Sequence, residues 1–187
     1  MKRTIEVLNQ MVADGVVGTY AIGGAVAAYN YIEPTLTEDL DIIVSLDGGT
    51  TQSGLVTLTP IISYLSAKGY TEFNKEGIVI DGWPVQFLPV ASPLDAESLA
   101  DASNIDLEMP DEGNIPTRIL SAEHVMATAL NVGRPKDHIR LSQFMSARVF
   151  DAARLCGIIE RHGLKAKWTA FCHRSGVVDP CNPVWKP

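Results

Sequence analysis

The sequence predicts an α+β (α/β) protein, a mixed β-sheet flanked by helices and followed by a C-terminal helical subdomain. Three observations predict it. Short apolar runs of strand character alternate with helical patterns up to Leu120. An Asp81-Gly82 turn between two apolar runs is a strong hairpin signal. Beyond Leu120 the apolar spacing is helical to the tail.

In chain order, Ile5, Val7, Leu8, Met11 and Val12 recur at helical spacing from Thr4 to Ala13, and Asp14-Gly15 stops the pattern. Val16 to Ile22 reads as a buried strand, Gly23-Gly24 as a break, and Ala25 to Ile32 as a small-residue helix closed by Pro34. Leu40 to Val44 is a second strand, entered through Glu38-Asp39 and ended by the turn Asp47-Gly48-Gly49. A helix follows over Ile61 to Lys68, then the hairpin strands Gly77 to Ile80 and Pro84 to Leu88. Residues 95 to 112 hold seven acids and no base, which reads as a solvated helix face or loop. Ile115 to Leu120 is a last strand, and helices are expected over Ala122 to Asn131, Lys136 to Ala147, Ala152 to His162 and Ala166 to Cys172. Pro180, Pro183 and Pro187 mark an irregular tail.

At 187 residues the chain buries roughly 70% of its unfolded surface, so it folds without a disulfide or structural zinc. Cys156, Cys172 and Cys181 are an odd set with no CxxC spacing, and the start carries no continuous apolar run, so a reducing, cytoplasmic protein is expected. No stretch approaches the ~20 apolar residues of a membrane span. The net charge of −7 is unevenly spread: residues 1 to 114 have four bases against 17 acids, a balance of −13, and residues 115 to 187 have 11 against five, a balance of +6. This places an α/β core at 1–114 and a last strand with a basic helical subdomain at 115–187, a soft boundary within one compact unit. Opposite signs suit either subdomains that attract each other or a basic surface for an anionic ligand.

The strongest chemical signal runs from Tyr20 to Val44. Gly23 and Gly24 fall where a strand gives way to a helix, which lets a backbone approach a ligand and leaves amides at a helix N-terminus for phosphate. Fifteen residues later, Asp39-Leu40-Asp41 enters a strand whose alternation puts both carboxylates on one face. Paired carboxylates repel unless a cation lies between them, and hard oxygens suit Mg²⁺ or Mn²⁺ held jointly with phosphates. Phosphate beside a divalent metal implies nucleotide chemistry. Neither a P-loop nor a Rossmann fingerprint is present, and no Gly-x-Ser-x-Gly supports a serine hydrolase. Cys172-His173 with Cys181 is the nearest approach to a zinc set, and its spacing is poor. Trp83, Trp168 and Trp185 read as packing residues.

This run resembles the signature of the DNA polymerase beta nucleotidyltransferase superfamily, a hydrophobic-Gly-Gly/Ser motif followed by Asp-x-Asp/Glu on the next strand. More narrowly, Gly133-Arg134-Pro135-Lys136-Asp137-His138-Ile139-Arg140, the strand Pro84 to Leu88 and the phrase Ile119 to His124 resemble the small AbiEii-type nucleotidyltransferases of abortive-infection and toxin-antitoxin systems. The resemblance implies transfer of an NMP from an NTP to an acceptor hydroxyl on RNA such as a tRNA end, on a protein or on a small molecule, with Mg²⁺ or Mn²⁺. It implies that Gly23 and Gly24 cradle the triphosphate and that Asp39 and Asp41 bind the metals. Lys136 would lie near phosphate, Asp137 would orient a partner or complete the site, and Arg134 and Arg140 would add positive charge to the same face. The family's third carboxylate falls at Gln86, a neutral amide that can bind a metal or a base but cannot serve as a general base. Two alternatives follow: an enzyme relying on Asp39, Asp41 and another acid such as Asp137, or a catalytically impaired binding protein acting as a partner or toxin-antitoxin component.

Overall fold

The computed structural model describes residues 1–46, 57–109 and 113–182. The expected turn Asp47-Gly48-Gly49, the acids Asp111 and Glu112, and Pro183, Trp185 and Pro187 lie outside the described residues. The chain forms two compact units, one of residues 1–26 with 36–120, the other of residues 27–35 with 121–187.

The first unit is built on a mixed sheet, with the seven described strands in the order β3-β4-β5-β2-β1-β7-β6. Helix α1 (Lys2–Ala13) precedes β1 (Thr19–Ile22), and helix α2 (Gly24–Ala28) leads to β2 (Leu40–Ser45). Helix α3 (Thr59–Ala67) is followed by β3 (Phe73–Asn74), β4 (Gly77–Ile80) and β5 (Trp83–Pro89). Helix α4 (Pro93–Ala100), β6 (Ser103–Met109) and β7 (Gly113–Ile119) complete the unit. β1 pairs antiparallel with β2 and parallel with β7, while β2 pairs parallel with β5.

The apolar stripe read in α1 is its packing face: Ile5, Leu8 and Met11 are buried, and the helix lies against β7 and β1. Tyr20 ties the same region together, its hydroxyl bonding Asn9 Oδ1 at 2.7 Å and Thr117 Oγ1 at 2.9 Å. Burial pushes that phenol's pKa up. The Asp81-Gly82 hairpin forms as expected, with β4 and β5 antiparallel and Asp81 and Gly82 at φ 46° and 83°, the conformation a two-residue primed turn needs.

Two local expectations are corrected. The helix expected over Ala25 to Ile32 stops at Ala28, and turns occupy residues 29 to 32. Residues 95 to 112 are not simply a helix face or loop, because β6 pairs with β7 from Ser103↔Ile119 to Met109↔Gly113. Ile105 and Leu107 are half-buried and alternate with exposed Asp106 and Glu108, so the acids charge the outer face of an edge strand. The two-residue strand β3 was not foreseen; at that length it carries no period to detect.

The second unit is helical, as expected. It holds α5 (Ala122–Val132), α6 (Pro135–Ala147), α7 (Ala152–Arg161) and α8 (Lys165–Ser175). Capping explains the boundaries. Ser121 Oγ accepts from the His124 amide at the start of α5, Gly133 ends that helix at φ 72°, and Asp151 accepts from the Arg154 amide at the start of α7. Phe144, Leu155, Ile158, Trp168 and Phe171 form the core. Asp179 in the tail accepts from Trp168 Nε1 at 2.8 Å.

Cys156 of α7 is bonded to Cys181 of the tail, across a separation of 25 residues. This corrects the expectation of reduced cysteines, since a pairing at that distance leaves no local spacing motif to read. Cys172 is buried, and desolvation with the nearby Asp179 charge raises its thiol pKa to about 12. With Cys181 bonded, the Cys172-His173-Cys181 set is no metal site. Among the described residues no helix is long and apolar enough to cross a membrane.

Candidate functional site

The site begins where β1 ends. The antiparallel register runs to Ile22↔Ile42, and the Gly23 amide carries it one residue further by donating to the Asp41 carbonyl at 2.8 Å. The chain then turns sharply at Gly24, whose φ of 58° is left-handed. A Cβ on Gly24 would stand 1.9 Å from Asp41 Oδ2 and 2.8 Å from its Cγ, so the carboxylate occupies the space a side chain would fill. Glycine is required here on both counts. Gly23 differs: a Cβ there meets Leu120 Cδ1 at 3.6 Å, an ordinary contact.

Leu40 is fully buried between half-buried Asp39 and Asp41, consistent with both carboxylates lying on the opposite face. Thr37 Oγ1 donates to Asp39 Oδ1 at 2.8 Å, fixing the residue just before β2. Parallel pairing of β2 with β5 places Gln86 in register with Asp41. Gly23, Gly24, Asp41 and Gln86 are thus brought together, with Asp39 two positions along the strand from Asp41.

One expectation about phosphate is corrected. The Gly23 amide is used in pairing with Asp41 and does not point outward for a ligand. Helix α2 has five residues, too short to build up a substantial dipole at its start. At Gly24 the break gives the Asp41 carboxylate a floor to lie on.

Two residues that sequence reasoning passed over stand beside the acid strand. β3 and β4 pair with Asn74↔Gly77 in register, leaving Lys75 and Glu76 as a two-residue turn. Gln86 Nε2 donates to Glu76 Oε2 at 2.8 Å, and Lys75 Nζ pairs with Glu38 Oε2 at 2.9 Å. That hydrogen bond to Glu38 raises the Lys75 pKa. Their one sequence signal is the Lys-Glu-Gly turn composition, which says nothing of what the tip touches.

The remaining sequence-predicted residues belong to the helical unit. Pro135 opens α6, and Asp137 in its first turn accepts from the Arg134 backbone amide at 3.0 Å and from Arg134 Nε at 2.9 Å. Arg140 lies 3.4 Å from the other Asp137 oxygen. Asp137 is 1% exposed and Arg140 is buried, whereas Lys136 is exposed and the Arg134 side chain half-exposed. The Asp137 carboxylate is committed to holding two guanidinium groups, and the outward charge at this helix start belongs to Lys136 and Arg134.

The side chains of the first unit fit a hard divalent cation. Two carboxylates flank one buried residue, one of them lies in a cradle that a Cβ would fill, and an amide stands in register beside it.

No family model matches the chain, and no curated protein matches it. Among solved structures, the solution structure of the antibiotic-resistance factor ANT(2'')-Ia aligns at 16% identity with a TM-score of 0.45, covering 94% of this chain and 98% of that one. The crystal structure of ANT(2'')-Ia in complex with adenylyl-2''-tobramycin aligns at 17% identity with a TM-score of 0.43, covering 92% and 97%. Similarity of that degree leaves the chemistry to this chain's own side chains, and none of these comparisons supports the AbiEii-type resemblance.

Proposed function

We propose that this chain is a divalent-metal-dependent nucleotidyltransferase, moving an NMP from an NTP to an acceptor hydroxyl. The observation that carries the reading is the Asp41 carboxylate of β2 laid against Gly24, where β1 gives way to α2. Asp39 and Asp41 would hold Mg²⁺ or Mn²⁺, which when bound neutralises phosphate charge and eases deprotonation of the acceptor. The acceptor hydroxyl gives up its proton to solvent water, its oxygen forms a bond to the α-phosphorus, the bond from that phosphorus to the β-phosphate bridge breaks, and pyrophosphate leaves. The protein's part is to fix the two carboxylates, Asp41 in the place that glycine at position 24 leaves for it. Lys136 and Arg134 are assigned to attracting anions by their exposed charge.

Gln86 favours a second reading, a nucleotide-binding protein without transfer. One experiment separates them. Each α-labelled NTP is incubated with the protein, Mg²⁺ or Mn²⁺ and candidate RNA, protein and small-molecule acceptors, and label transfer and pyrophosphate are measured. Transfer is expected, with Asp41→Asn reducing it by roughly 100-fold or more, the scale of losing one electrostatic contributor to a transition state. Saturable NTP binding with no transfer to any acceptor would favour the second reading; transfer untouched by Asp41→Asn would refute the site.

A further inference from the structure

We infer that Glu76 is a positioning residue of this site: from the tip of the β3–β4 hairpin it orients the Gln86 amide and backs it with negative charge, offsetting the absence of a carboxylate at that strand position. This rests on the proposed role of Asp39 and Asp41 as metal ligands. A neutral amide in register with Asp41 is, taken alone, a poor third ligand. Its nitrogen, however, donates to Glu76 at 2.8 Å. The reversed amide would set two oxygens against each other, so Glu76 selects one orientation and directs the carbonyl oxygen away from itself. Donation to a carboxylate also polarises the amide and makes its oxygen a stronger donor. The result is an amide oxygen turned away from Glu76, on the residue in register with Asp41, with an anion behind it.

The hairpin tip is held for this task. With Asn74 opposite Gly77, the turn has two residues, and Lys75 sits at φ 54°, a conformation few non-glycine residues adopt. From that turn Lys75 reaches Glu38, the residue before Asp39, while Glu76 reaches Gln86, the residue in register with Asp41. One tip thereby touches a neighbour of each member of the acid pair.

The test is a double-mutant cycle on the full chain, read first by Mn²⁺ affinity from the electron paramagnetic resonance of unbound Mn²⁺, then by kcat and KM, with Tm in parallel. Glu76→Gln is expected to weaken Mn²⁺ by roughly 10- to 100-fold, the usual effect of losing a partner of a metal ligand, and to lower kcat with little change in acceptor KM. Gln86→Asp supplies the carboxylate directly and makes Glu76 a repelling neighbour. In that background Glu76→Gln should therefore leave Mn²⁺ affinity unchanged or raise it. Equal losses in both backgrounds would mean that Glu76 merely supports the hairpin and would overturn the inference. Asp41→Asn abolishing Mn²⁺ binding while Glu76→Gln has no effect would overturn it and leave the metal reading intact. Mn²⁺ affinity unaffected by Asp41→Asn would sink both.

Discussion

At the scale of single residues, Gly23 and Gly24 look interchangeable in the sequence and are not. A Cβ at Gly23 finds ordinary contact, while at Gly24 it would collide with Asp41 from Oδ2 back to Cβ, at 1.9 to 3.0 Å, on a left-handed backbone. Gly23→Ala is therefore expected to fold and to keep Mn²⁺ affinity within about twofold, which corresponds to about 0.4 kcal/mol. Gly24→Ala should lower stability by at least roughly 1 kcal/mol through the backbone alone and should lose Mn²⁺ affinity because the carboxylate must leave its place. Thermal melts and the Mn²⁺ titration together decide it; equal behaviour of the two variants would contradict the cradle. Asp39 and Asp41 were legible because strand alternation is a local rule. Glu76 was not, since its relation to Gln86 is a contact across a hairpin, and nothing in its immediate sequence encodes that.

At the scale of elements, legibility followed how local the cause was. The Asp81-Gly82 hairpin was readable because both residues must take positive φ and the dipeptide suits that. The caps at Ser121 and Asp151 and the left-handed Gly133 set helix ends near those expected. The edge strand β6 was hidden by its own acids, with Ile105 and Leu107 alone keeping the alternation. The link between α7 and the tail was equally hidden, because cysteines 25 residues apart form no motif. That link makes a countable prediction. At pH 8 the native protein should present no thiol to Ellman's reagent: Cys172 is buried, and with its pKa at about 12 it holds almost no thiolate four units below. Unfolding without reductant should release one thiol, and adding reductant three. Reduction should also lower the unfolding free energy by about 3 kcal/mol, the scale for a closed loop of this size. Three thiols on unfolding alone would show that the bond is absent.

At the scale of the whole molecule, charge and topology divide the chain at different places. Composition shifts near residue 115, which separates β7 from the strands before it, yet β7 is the parallel neighbour of β1 and the partner of β6 along its full length. Charge is a property of surfaces and says little about which strand closes a sheet. The sheet order could not be read from local pattern for the same reason: β1 finds β7 almost a hundred residues later in the chain, at Ile22↔Ile119. Two shortened chains test which boundary matters. A chain ended after Asn114 keeps the whole acidic span 1–114 but only the first two residues of β7, so β6 loses most of its partner and one side of β1 is unpaired, exposing the face that α1 covers with Ile5, Leu8 and Met11. It is expected to aggregate or to show no cooperative melt. A chain ended after Leu120 retains β7 and the bond from the Leu120 amide to the Ile22 carbonyl at 3.0 Å, and should recover more soluble protein with more strand signal in circular dichroism. The six residues between the two ends carry the difference. Equal solubility and equal strand content of the two chains would show that β7 is dispensable to the sheet and would contradict the strand order.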